Sequence, residues 1–258
     1  MRTHIAPEEL ARDERFTRLT TVERFSDPRA TGEERRIDPR LEDVSDRARS
    51  LMHGIFVGEI QALEGAGRTA FDYAAPGEVP FALKLDMARQ CWDEARHCEI
   101  SVRLSEHMGF ELGEYFESIT LFEAACHEDP VFRLAGVNRA LEGLAIDVFT
   151  NMRDFGTAVS DPVLTFAEDW MLADEVTHVK MGSTWLRALT ADDADRRTAA
   201  LEFQRTVDGL FNFRGTRGDG DAPLRLARRF REMAGFSTGE IDDIAAMAAA
   251  EREARAPV

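Results

Sequence analysis

The frame Asp-Glu-x-x-His occurs twice in this 258-residue chain, as Asp93-Glu94-Ala95-Arg96-His97 and as Asp174-Glu175-Val176-Thr177-His178. The chain has only six histidines, and chance spacing would supply about 0.05 such frames. On a helix, Glu and His three residues apart share one face, about 4.5 Å apart along the axis, so both reach one metal ion. A lone ExxH is ordinarily a solvated helix face, whereas two identical frames on two helices ask for a common partner. Carboxylate-rich ligation with imidazole suits iron or manganese.

Helices must carry these frames, and the start and stop signals predict where. A 3.6-residue apolar period runs from about Ser45, a candidate N-cap, to about Ala74, and a second from Pro80 to Met108, where Gly109 stops it. Asp129-Pro130 and Asp161-Pro162 each open another, with Asp as N-cap and Pro at the first helical position. Short links join the first to the second and the third to the fourth, so each pair is expected as an antiparallel hairpin. Residues 109–128 lie between the hairpins and are long enough to cross from one end to the other. Strand alternation and phosphate-binding glycine loops are missing, which disfavours nucleotide-binding α/β folds. The expected fold is all-α: residues 46–190 form a four-helix bundle, residues 1–45 an N-terminal extension of short helices and loops, and residues 191–258 C-terminal helices packed on the bundle. Within that C-terminal part, helices are predicted at about 191–213 and 224–253.

Two Glu-His frames need further carboxylates from the first and third helices. Glu59 and Glu64 are the candidates on one, Glu142 and Asp147 on the other. Met52, Ile55, Phe56, Ala62, Leu63 and Ala66 surround Glu59 at helical offsets and mark it as core-facing, whereas Gln61 and Arg68 place Glu64 nearer the periphery. Glu142 shares its face with Ala135, Ile146 and Phe149 but also with Asn138 and Arg139. Glu59, Glu94, Glu142 and Glu175 follow their helix starts by 14, 14, 12 and 13 residues, so all four lie at mid-helix, the level that antiparallel neighbours share. Four buried carboxylates repel one another unless compensated, and two divalent cations supply the matching charge.

In the pattern Glu59, Glu94-x-x-His97, Glu142, Glu175-x-x-His178 the chain resembles the ferritin-like dimetal-carboxylate superfamily over about residues 46–190. Phe211-Asn212 and Ala234-Gly235-Phe236 more loosely resemble a poorly characterised bacterial branch of it. The resemblance implies that these six residues ligate two iron ions, with manganese the alternative, and that Asp93 and Asp174 hold the ligand histidines from behind. It further implies a non-haem diiron oxidase or oxygenase that uses O2 to oxidise a small organic substrate. Ferroxidase or iron storage is the rival reading, followed by an RNA-modifying hydroxylase and a metal-free interaction bundle. A radical-generating subunit would need a tyrosine beside the metals, but Tyr73 and Tyr115 fall at a helix end and in the crossover.

Composition narrows the partners. With 32 basic and 48 acidic residues the net charge is −16, which argues against nucleic acid and anionic membranes. Residues 1–10 lack the apolar stretch of a signal peptide, so a cytoplasmic location is expected. Cys91, Cys98 and Cys126 form no metal quartet or disulfide set and read as small core thiols. Without flavin or iron–sulfur motifs, an external electron donor is expected. The terminal extensions are expected to shape a pocket, a lid or a homodimer surface. Small residues near the ligands, namely Gly58, Ala62, Ala95, Gly143, Ala145 and Gly182, predict a cavity walled by Phe56, Phe149 and Met171. The three tryptophans are expected in the core, and His4, His53, His107 and His127 at the surface or in caps.

Overall fold

A computed structural model describes residues 44–73, 77–115, 120–213 and 225–255; the expected wrapping of residues 1–43 lies outside these. The described residues are helical and contain no strand. In order they form α1 (Val44–Phe71), α2 (Phe81–Met108), α3 (Thr120–Ala125), α4 (Pro130–Arg133), a π-helical segment (Leu134–Leu141), α5 (Glu142–Ala158), α6 (Pro162–Leu189), α7 (Ala194–Phe213), α8 (Arg228–Met233) and α9 (Thr238–Arg255). None of these helices is long and apolar enough to cross a membrane.

The punctuation residues act as their chemistry requires. Gly109 closes α2 at φ 75°, a left-handed conformation that glycine enters without a Cβ penalty. Asp129 accepts from the Val131 and Phe132 amides, and Asp161 from those of Val163 and Leu164, so each satisfies two donors that the first helical turn leaves open.

Helices α1, α2 and α6 each run 28 residues, about 42 Å. Side-chain contacts fix their directions. Glu59 meets His97 and Arg49 reaches the Met108 carbonyl, so α1 and α2 are antiparallel. Arg153 pairs with Asp169 near one end of α5, while Asn138 crowds Gly182 further along, so α5 and its π segment run antiparallel to α6. His107–Asp161, His97–Asp174, Asp93–His178 and Asp86–Trp185 contacts in succession make α2 and α6 antiparallel as well. With α1 also against α5, four long helical segments enclose one interior, and α2 and α5 point the same way. The end of α2 and the start of α4 therefore lie at opposite ends of these helices.

Two expected elements differ. The third helix is not one α-helix: its middle widens into the π segment, and the Glu142 amide bonds to the Val137 carbonyl five residues back. The cause is tertiary. Gly136 lies so close to the Ala125 carbonyl that a Cβ would collide with it, and a Cβ at Gly182 would lie 2.5 Å from the Asn138 Cβ. The helix expected over residues 224–253 is two helices, α8 and α9, hinged at Gly235 with φ 98°.

The C-terminal helices share the core of the long ones: Ala234, Phe236, Ile241 and Ile244 join Met52, Ile55, Phe149, Met152, Leu164 and Met171 in one apolar cluster. Phe236 also packs under the Arg139 and Arg231 guanidiniums, 4.5 and 5.0 Å from its ring centre. Trp92 and Trp170, expected in the core, are 67% and 42% exposed, with Arg96 stacked over Trp170. Apolar residue type is a one-way guide to burial, and the outer α2–α6 face keeps its aromatics. His53, expected at the surface, is buried and accepts from the Gly113 amide.

Candidate metal centre

Glu59 on α1, Glu94 and His97 on α2, Glu142 at the start of α5, and Glu175 and His178 on α6 converge in the interior, all nearly or fully buried. Their donor atoms form two four-residue groups, Glu59, Glu94, His97, Glu175 and Glu94, Glu142, Glu175, His178, each with its donors within 4.8 Å of one another. Ligands held about 2 Å from an ion fall within that span of each other. Glu94 and Glu175 belong to both groups and so stand between two adjacent ion positions.

Each imidazole points one nitrogen inward and one outward. His97 Nδ1 lies 2.8 Å from Glu59, 3.2 Å from Glu94 and 3.1 Å from Glu175, and His178 Nδ1 lies 3.1 Å from Glu94. Outward, His97 Nε2 is 3.3 Å from Asp174, and His178 Nε2 is 3.4 Å from Asp93. The two frames are therefore crossed: the aspartate of each holds the histidine of the other. An Nε2–H donated to aspartate leaves the Nδ1 lone pair facing the carboxylates, the tautomer a metal ligand needs. Arg96 bridges Asp93 and Asp174 on the solvent side and ties the pair together.

Electrostatics point the same way. Burial raises Glu59 and Glu142 well above the usual carboxylate range, and neighbouring carboxylates add to the rise. Burial also disfavours charge on Glu94, but His178 and His97 outweigh it and hold this carboxyl below the usual range. Both histidines are raised despite burial, His97 through Asp174, Glu175 and Glu59 and His178 through Glu94, Glu175 and Asp93. Glu94 Oε2, both Glu175 oxygens and His178 Nδ1 are buried and approach only one another and the other donors of the cluster, none of them in hydrogen-bond geometry, an arrangement that a cation would relieve. The donor set thus fits metal ions.

The rejected candidates have other roles. Glu64 makes an exposed pair with Arg68. Asp147 forms a fully buried pair with Arg231 on α8 at 2.6 Å and caps the Ala227 amide. The polar neighbours of Glu142 are absorbed too: Arg139 is held by Gln204, Ser183 and Glu240, and Asn138 donates to Gln90 at 2.6 Å. Gln90, which the sequence reading did not single out, then donates to Glu142 at 2.5 Å and Glu94 at 3.1 Å. Its position one turn before Glu94 was the available signal. Glu168, one heptad before Glu175, was missed as well; it is completely buried, and neither carboxylate oxygen has a partner.

The expected cavity around the small residues is filled in part. Asn138 occupies the space at Gly182, and Arg231 with Phe236 occupies that at Gly143. Phe149 stands edge-on to His97 at 6.3 Å. Tyr73 donates to the Glu128 carbonyl, away from the cluster.

An all-helical chain with a buried Glu/His cluster able to hold metal is thus the class that fold and site define. A family model described as "Protein of unknown function (DUF455)" matches residues 7–242, and the chain belongs to that family. No curated protein and no solved structure matches it.

Proposed function

We propose that the chain is a ferritin-like four-helix bundle holding a two-metal centre, and that it is a non-haem diiron oxidase or oxygenase acting on a small organic molecule. The observation that carries the reading is the pair of overlapping donor groups sharing Glu94 and Glu175. One isolated ion needs one group; two groups with two common carboxylates suit two ions side by side. Six residues, Glu59, Glu94, His97, Glu142, Glu175 and His178, would hold them, iron fitting the N2O4 set and manganese standing as the alternative. Such a redox-active pair would supply electrons to O2 and thereby the oxidising power for the substrate.

The chain's own residues do the rest. Asp93 and Asp174 fix both imidazole tautomers, Gln90 orients Glu94 and Glu142, and Phe149, Met171 and Leu172 keep bulk water from the interior. An external electron donor would complete each cycle. Protein loaded with Fe(II) under nitrogen and mixed with O2 tests the reading. It should consume O2 in proportion to the centre, turn over only with an added reductant and substrate, and retain no more iron than it was loaded with. Continued uptake of Fe(II) into soluble ferric mineral would establish storage instead.

A further inference from the structure

We propose that Glu168 and Ser101 form the polar anchor of the substrate site beside this centre, and that the substrate they fit is a small, largely apolar amine; the proposal rests on the two-metal reading above. Glu168 is fully buried with both oxygens unpartnered, and Ser101 Oγ is likewise buried and unpartnered. The contacts His97–Asp174 and His107–Asp161 fix the register of α2 against α6. Ser101 and Glu168 both fall between those two contacts and so occupy one level of the interior. That level is about 10 Å along α6 from Glu175, seven residues at the helical rise.

The surroundings are apolar and conformable. Leu164, Met171 and Leu172 flank Glu168 on its own helix, while Met52, Phe149 and Met152 belong to the same core cluster. Unbranched methionine side chains re-pack around a guest more readily than branched ones. Beyond this level, where α2 ends, an open cleft of about 640 Å³ is lined by Glu106 and the stretch Gly109 to Glu114. Glu168 thus lies between the metal cluster and an opening.

Charge selects the ligand class. Two divalent ions balance four ligand carboxylates, which leaves Glu168 as the carboxyl without a counter-charge. The buried arginines Arg133, Arg139 and Arg231 are paired with Asp72, Glu240 and Asp147, and none of them meets the Glu168 oxygens, so a cation for this carboxyl has to come from a ligand. A basic nitrogen supplies both the missing charge and the N–H donors that the Glu168 oxygens and Ser101 Oγ can accept. Burial holds the Glu168 carboxyl well above the usual range, so the site without ligand keeps its proton, and an entering free amine takes that proton to form the ammonium–carboxylate pair.

The test is calorimetric titration of the full chain with straight-chain primary amines, each against the alcohol and carboxylate of equal length, with metal content measured on the same samples. At least one amine should bind about tenfold or more tighter than its counterparts. Glu168→Gln, which keeps shape and removes charge, should abolish that preference while leaving metal content unchanged. Ser101→Ala should weaken the amine selectively and serves if the first variant does not fold. A wild-type chain that ranks the three classes alike, or a preference surviving in Glu168→Gln, overturns the proposal. A chain that takes up no metal would refute the two-metal reading on that measurement alone, while the amine ranking judges Glu168 separately.

Discussion

At the scale of single residues, the crossed aspartates are the most informative feature, because they give each Asp-Glu-x-x-His frame a reason to have its first letter. Asp93 and Asp174 touch the outward nitrogens of His178 and His97, so they set which nitrogen of each ring remains free. Asp93→Asn or Asp174→Asn should therefore lower metal affinity about 10- to 100-fold with the fold intact, as read by chelator competition and helical content. Unchanged affinity in both variants would show that the rings are oriented by packing alone. The residue types and spacing of the two frames were legible in the sequence because helical geometry turns spacing into position. Glu168 was not, since a glutamate amid Leu164, Met171 and Leu172 has the pattern of many half-exposed helix residues; only tertiary burial distinguishes it.

At the scale of elements, local signals and tertiary constraints divide cleanly. The Asp-Pro starts at 129–130 and 161–162 and the Gly109 stop were readable because capping depends on neighbours in sequence. The π segment was not, because it depends on what α6 and α3 present to it. Gly182 lets α6 approach the Asn138 backbone, and from there Asn138 holds Gln90, which in turn holds Glu142 and Glu94. Gly182→Ala puts a methyl group into that contact. It should cost about 1–3 kcal/mol in denaturant unfolding and weaken metal binding in parallel, whereas an alanine at the exposed and uncrowded Gly239 serves as the control. Equal behaviour of the two variants would mean that the close approach carries no strain. The split of the C-terminal helix at Gly235 was announced locally, by that glycine and by the Ser237-x-x-Glu240 box in which Ser237 and Glu240 cap each other's amides, and Ser183 and Arg187 of α6 crowd the glycine from the outside.

At the scale of the whole molecule, the C-terminal helices are bound to the long ones through buried charge as well as apolar contact, and this makes stability depend on pH. Burial pushes Asp208 on α7 up to about 6 from an ordinary 3.8, against the pull of Arg231 and Gln204. The folded chain therefore keeps a proton that the unfolded chain has lost, and stability falls as pH rises through that window, by roughly 3 kcal/mol once above it. Asp208→Asn should raise the unfolding free energy at pH 8 by up to that amount and change nothing near pH 3.5; an equal gain at both values would assign the effect to packing. Metal binding adds a second pH linkage, since ions must displace the protons held by the raised histidines and by Glu59 and Glu142, so metal affinity falls as pH falls. In the proposed function the four helices bring Glu59, Glu94, Glu142 and Glu175 together to hold two ions, with Glu94 and Glu175 common to both. Elemental analysis of the chain after anaerobic Fe(II) loading and desalting tests it most directly. About two irons per chain are expected in the wild type, with a large loss in the His97→Ala, His178→Ala double variant; a metal content near zero, or one unchanged by the double substitution, would rule out the two-ion centre.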